Sequence, residues 1–244
     1  MNIKDELDDI CTEFNKEVKN LFISDLVSVI VYGSALSKEF NDKKSDLNML
    51  LCLKNDKPST ISKYASIQKK WQKKKIATPL FLTEDYINQS LDAFPIEFLN
   101  IKTHYQLLHG KDVLLQLAFH KSDIRLELER ELKGKLLHLK LGFLEAHGSC
   151  TMLLNLIDSS MHVLMPLFRA MLYLVNVEYA VSKQEIIKRV CDGYDLDCEV
   201  MNALFKVSTG EEKLPKKHVE DIFDRYVYNV HKMVTAINNM EGSL

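Results

Sequence analysis

The stretch VYGSALSKEFNDKKSDLNML, residues 31–50, closes an apolar run with Gly33 and Ser34 and sets Asp46 and Asn48 on either side of Leu47 beyond a polar spacer. Alternate residues of a strand share a face, so Asp46 and Asn48 project to one side while Leu47 and Met49 enter the core. Two side-chain oxygens placed next to each other in this way suit a hard divalent cation. A glycine at a strand end lets backbone amides approach a phosphate, and the Ser34 hydroxyl can donate to it. If the two strands are neighbours, phosphate and cation meet. The same residues have a plainer reading, in which Ser45 and Asp46 merely begin a strand and Asn48 satisfies a loop amide.

The elements that must position these groups are legible in the periodicity. Ile3, Leu7, Ile10, Phe14, Val18 and Leu21 recur at helical spacing with charge on the other faces, predicting an amphipathic helix at the start of the chain. LVSVIVYG and SDLNMLLCL read as buried strands, residues 59–75 as helix, and TPLFLT as a further strand. Thr83, followed by Glu84 and Asp85, is placed to cap a short helix through Gln89. IEFLNIKTHYQLLHG reads as a strand that turns at Gly110. Beyond residue 122 only helical patterns appear. Leu128, Leu132, Leu136, Leu139 and Phe143 line one helix, and a long apolar helix over 150–177 is kinked by Pro166. Ser182 and Glu185 form a capping-box spacing before a helix that Gly193 ends, and Val219, Ile222, Tyr226, Val230, Met233 and Ile237 mark a last amphipathic helix. The expected fold is α+β: an α/β domain over 1–115, with a mixed sheet and flanking helices, then a helical bundle over 116–244.

Composition narrows the function classes. At 244 residues, 46% hydrophobic and 27% charged, the chain is an ordinary globular one, and its net charge of −2 supplies no global field for duplex nucleic acid. The lysines between 57 and 75 read as a solvated helix face. Cys11, Cys52, Cys150, Cys191 and Cys198 lack zinc-knuckle spacing, which points to free thiols in a reducing cytoplasm. MNIKDELDDI is too acidic for a signal peptide, and the apolar region around 150–177 is broken by Asp158, His162, Pro166 and Arg169, so no membrane span is expected.

The Gly33-Ser34 pair, the spacer from Ala35 to Ser45 and the Asp46-Leu47-Asn48 triplet resemble the signature of the polymerase-beta-like nucleotidyltransferase superfamily. The α/β half followed by helices resembles the antibiotic nucleotidyltransferases, including the kanamycin type, and uncharacterised bacterial relatives in which FPIEFLNIK and YQLLHGKDVL look like a recurrent block. The resemblance implies a nucleoside triphosphate bound with Mg2+ at Gly33, Ser34, Asp46 and Asn48, and transfer of a nucleotide monophosphate to a hydroxyl of a small molecule or protein. It implies a third acid on a neighbouring strand, for which Glu97 is the candidate ligand and base, with Asn100 on the opposite strand face. The family's triplet is acid-apolar-acid. Asn48 departs from it, and an amide oxygen carries no charge to hold a bridged metal pair. Asp42, in the spacer, is the residue that would compensate. The alternative is a descendant that binds nucleotide or another protein without catalysis, as a homodimer formed through its helical face.

Arg225 and His231 match the loose Arg-x(4–6)-His pattern of HEPN ribonucleases, where arginine holds phosphate and histidine does acid-base work. Six residues apart on a regular helix, they point about 120° away from each other, and ordinary surface residues fit as well. Arg169, within the most apolar helix, must find a partner or a cavity.

Overall fold

The computed structural model describes residues 3–33, 36, 46–177 and 182–240. The chain divides into two compact units, one made of Met1–Asp92 with Phe98–Phe119 and the other of Ala93–Glu97 with His120–Leu244.

In the first unit, α1 (Ile3–Phe22) precedes β1 (Leu26–Tyr32) and β2 (Asn48–Leu53). Then come α2 (Pro58–Ile61), a 3-10 turn (Ser62–Tyr64), α3 (Ala65–Lys73), β3 (Leu80–Leu82), α4 (Glu84–Gln89), the helix α5 (Pro95–Thr103), whose first residues through Glu97 belong to the second unit, and β4 (Tyr105–Gly110). The sheet order is β3-β2-β1-β4, with β1 antiparallel to both neighbours and β2 parallel to β3. Strand alternation sorts the side chains into two cores. Val29, Val31, Met49, Leu51 and Leu53 meet Phe14, Val18 and Phe22 of α1 together with Trp71. Ile30, Leu50 and Cys52 meet Ile87, Phe98, Ile101 and Leu114 on the other face. Both sheet faces are therefore buried, and helices cover each.

The helices of this unit begin where local chemistry starts them. Thr83 Oγ1 accepts the Tyr86 N–H at 3.1 Å, the expected cap of α4. Two expectations change. The segment IEFLNIK is helix and not strand: Pro95 takes its first turn, where a missing N–H costs nothing. Ile96, Phe98, Leu99 and Ile101 are all buried, so the segment is apolar on most sides and periodicity cannot tell helix from strand. Glu97 and Asn100 accordingly sit on a helix, and the strand expected there is β4, which Gly110 ends.

The second unit holds α6 (Lys121–Ala146), α7 (Cys150–Leu174), α8 (Lys183–Tyr194), α9 (Cys198–Thr209), a 3-10 turn (Lys216–His218) and α10 (Val219–Asn238). α7 lies at its centre, packed by α6, α8, α9 and α10. Its arms, Cys150–Met161 and Val163–Leu174, meet at 42°. Pro166 cannot donate to the carbonyl at 162 and its ring clashes there, which accounts for a bend at that point. Among the described residues no single helix is long and apolar enough to cross a membrane. Ser182 Oγ accepts the Glu185 N–H at 3.2 Å as expected. Gly193 does not end α8: the helix runs to Tyr194, and Asp195 takes the left-handed position at φ 50°. α9 was not expected, although Asp197 caps it and Gly210 terminates it.

Gly110 tests the β1–β4 contact. Its φ is +84°, and a Cβ there would lie 2.0 Å from the Val27 carbonyl oxygen, a backbone atom that cannot yield. Gly110→Ala is expected to destabilise the protein by at least ~2 kcal/mol in urea unfolding; a change below ~0.5 kcal/mol would contradict this close approach.

Candidate functional site

Gly33 and Asn48 come together. Antiparallel pairing sets Tyr32 opposite Asn48, so the residue after β1 faces the residue that opens β2. Gly33 has φ +87°, and a Cβ there would lie 3.3 Å from Asn48 Nδ2. The missing side chain thus leaves the space beside which the Asn48 amide lies. The Gly33 N–H donates to the His104 carbonyl at 2.8 Å, so this amide is engaged by the protein itself. Ser34 and Asp42 lie outside the described residues.

Asp46 is exposed and precedes β2, just outside the strand in which it was expected. The backbone between it and Asn48 is nonetheless fixed. Leu47 is buried, its N–H donates to the Lys75 carbonyl at 2.7 Å, and its carbonyl accepts from Ala77 at 3.0 Å. The β-bridge between Leu47 and Ile76 thereby anchors the acid-apolar-amide triplet to the parallel side of the sheet.

Tested against a hard cation, Asp46 and Asn48 offer one carboxylate and one amide oxygen. That set fits a single divalent ion and falls short of the carboxylate pair that a bridged two-ion site requires. Among the described residues no three His, Cys, Asp or Glu side chains cluster as metal ligands.

Glu97 belongs to the second unit, exposed in the first turn of α5. There it meets a residue that sequence reasoning missed. Glu127 of α6 is buried, and its Oε2 accepts the Ile96 N–H at 2.8 Å, satisfying a donor that the start of α5 leaves without an intrahelical partner. Burial raises the Glu127 carboxyl to about 7, with the adjoining Glu97 carboxyl, hydrogen-bonded to it, adding to the rise. The neighbours of Glu127 at helical spacing include Asp123, Arg130 and Glu131, so the sequence does not set it apart as a buried acid.

The second unit also contains a groove of about 310 Å³ lined by Asp197, Asp224, Arg225, Tyr228, Asn229 and Lys232. Arg225 is held by Asp197 at 2.7 Å and Glu199 at 2.9 Å, and Lys232 by Asp195 at 2.6 Å. The arginine of the HEPN-like pair is thus committed to carboxylates, and His231 is exposed and does not line the groove. Asn229, fully buried, accepts from the Asp197 N–H and donates to the Asp197 carbonyl, locking α10 to the start of α9. Arg169 is half-buried on α7.

No protein-family model matches the chain, and no curated protein is significantly similar to it in sequence. Solved structures do resemble it. One is the crystal structure of spectinomycin adenyltransferase AAD(9) from Enterococcus faecialis with ATP and spectinomycin, at a TM-score of 0.58 and 11% identity, covering 92% of this chain and 98% of that one. The architecture is therefore the nucleotidyltransferase-like α+β fold, a mixed sheet with flanking helices followed by a helical region.

The Glu127 carboxyl carries a pH signature. Its folded value, about 7, lies above the ordinary 4.5, so between these values the folded protein holds a proton that the unfolded chain has released. Stability contributed by this group is present below about pH 4.5 and is lost as pH rises through about 7. Glu127→Gln, which keeps an acceptor for Ile96 and a donor for Glu97, is expected to flatten the decline of Tm between pH 5 and 7.5. Glu127→Ala, which leaves the Ile96 N–H without this acceptor, is expected to cost about 1–3 kcal/mol. Parallel Tm profiles for wild type and Glu127→Gln would show that the carboxyl is ionised throughout.

Proposed function

We propose that the protein binds a nucleoside triphosphate with one divalent cation at Gly33, Ser34, Asp46 and Asn48, and transfers the nucleoside monophosphate to a hydroxyl of a small molecule. The observation that carries this reading is the close approach of Gly33 and the Asn48 amide at the mouth of β1 and β2, two residues beyond Asp46, in a chain that over 92% of its length resembles in fold an adenyltransferase solved with ATP and spectinomycin. Glycine gives the phosphates room near the strand end, and Asp46 and Asn48 would hold the ion. Mg2+ bound there would neutralise charge on the triphosphate.

In the transfer the acceptor oxygen forms a bond to the α-phosphorus while the bond from that phosphorus to the bridging oxygen breaks. Pyrophosphate departs with the electron pair, and the hydroxyl proton passes to solvent water. Positioning and charge stabilisation dominate such chemistry, so a missing ligand charge is felt in the rate before it is felt in binding. Asn48 favours a second reading on the same site, nucleotide binding without turnover, since it removes one negative charge from the cation's surroundings.

Calorimetric titration with ATP and Mg2+ is expected to show binding in the micromolar to millimolar range; no heat at millimolar ligand would remove both readings. Asn48→Asp is expected to tighten Mg-ATP binding by about tenfold, ~1.4 kcal/mol, and to raise or create turnover with hydroxyl acceptors. If Asn48→Asp leaves affinity and turnover unchanged, position 48 is not a ligand.

A further inference from the structure

Helix α6 has a second face that the bundle leaves uncovered. Leu128, Leu132 and Leu139 are fully buried, whereas Leu126, Leu137, Leu141 and Leu144 are 61, 61, 52 and 67% exposed. At about 100° per residue Leu137, Leu141 and Leu144 fall within about 60° of one another, a continuous row of about two turns, while Arg130 and Lys133 separate them from Leu126. Single exposed leucines are ordinary, but a contiguous apolar row marks an interaction surface.

Gly134 lies in the same face, about 20° beyond Leu141. A glycine in a helix interior costs about 1 kcal/mol relative to alanine. For Gly142 the chain's own packing explains that cost, because a Cβ there would lie 2.6 Å from the Leu156 side chain. For Gly134 it does not: a Cβ there would meet nothing within 4 Å. The notch has room for a side chain from outside. Charge supplies a direction as well. Arg130, 65% exposed and only loosely held by Glu127 and Glu131 at 3.4 and 3.5 Å, stands at the N-terminal end of the face, and exposed Glu145 stands at its C-terminal end.

We propose that this face is a two-fold interface with α6 of a second copy of the chain, packed antiparallel about a point between Leu137 and His138. That operation sets Leu141 of each copy on Gly134 of the other and Arg130 opposite Glu145, each contact occurring twice as an isologous interface demands. A parallel pairing would instead set Arg130 against Arg130 and glycine against glycine. The opposed helix dipoles also favour the antiparallel arrangement. The interface is independent of nucleotide chemistry.

Sedimentation equilibrium of the full chain is expected to return twice the 28.2 kDa of one copy. Leu141→Glu is expected to give a monomer with an unchanged far-UV circular dichroism spectrum. Gly134→Leu separates association from folding, because it improves helix propensity yet fills the notch; helicity should hold or rise while the dimer weakens by about tenfold or more. Glu145→Arg is expected to weaken the dimer, and Arg130→Glu with Glu145→Arg to restore it to within about threefold of wild type. A monomeric wild type at ~100 μM overturns the proposal and leaves the row to a different macromolecule. So does a dimer that Leu141→Glu and the charge exchange leave unmoved.

Discussion

Everything described in the first unit depends on β1 being used on all four sides. Its two edges are bonded to β2 and β4, and Val29, Ile30 and Val31 are buried between helical layers on both faces. Such a strand has little polarity contrast to fix its register, since a one-residue slip would exchange one apolar face for another. The register is pinned by irregularities instead. It shifts between Leu26 and Ser28 on one edge and between Val29 and Ile30 on the other, and Gly110 closes against the Val27 carbonyl. Only in that register does Tyr32 stand opposite Asn48, and only then does Gly33 meet the amide.

The polar interior of the second unit follows a different logic. α9 begins where it does because Asp197 is gripped by three kinds of bond: its side chain accepts the Val200 N–H, its backbone pairs with the buried Asn229 amide, and its second oxygen meets Arg225. Tyr194 Oη donates to the Met171 carbonyl, and Tyr226 shares a hydrogen bond with Ser160 in the core. Each satisfied group makes a packing alternative costly, since displacing it would strand a buried donor or acceptor. The Arg225 that looked like a phosphate ligand is accounted for by this network.

What was legible in the residues divides along the same lines. β1 declared itself through a β-branched run, β2 through an apolar run of strand length between polar loops, and α4, α8 and α10 through caps or periodic apolar residues. α5 did not, because Ile96, Phe98, Leu99 and Ile101 leave no polar face to set a period; Pro95 followed by Glu97 was the readable helix start. The pairing of Gly33 with Asn48 followed from motif spacing, but the partner of Glu97 did not. Glu127 is 31 residues away from Ile96, and only the fold brings the two together. Gly193 misled because glycine is a frequent helix terminator, whereas here Asp195 accepts the left-handed turn and Lys232 bonds it there.

Trp71 is the one tryptophan of the chain, and it belongs to the first unit. Its indole is fully buried, edge-on to Phe14 at 5.0 Å, with the Lys70 and Lys74 ammonium groups 4.6 and 5.2 Å from the ring centre. An indole so enclosed emits according to the field of those two cations and the contact with α1. Its fluorescence is therefore an optical report on the sheet-bearing unit alone, while the helical signal of the chain is weighted toward the five long helices of the other. One protein thus carries two spectroscopic channels, one for each body, without any label.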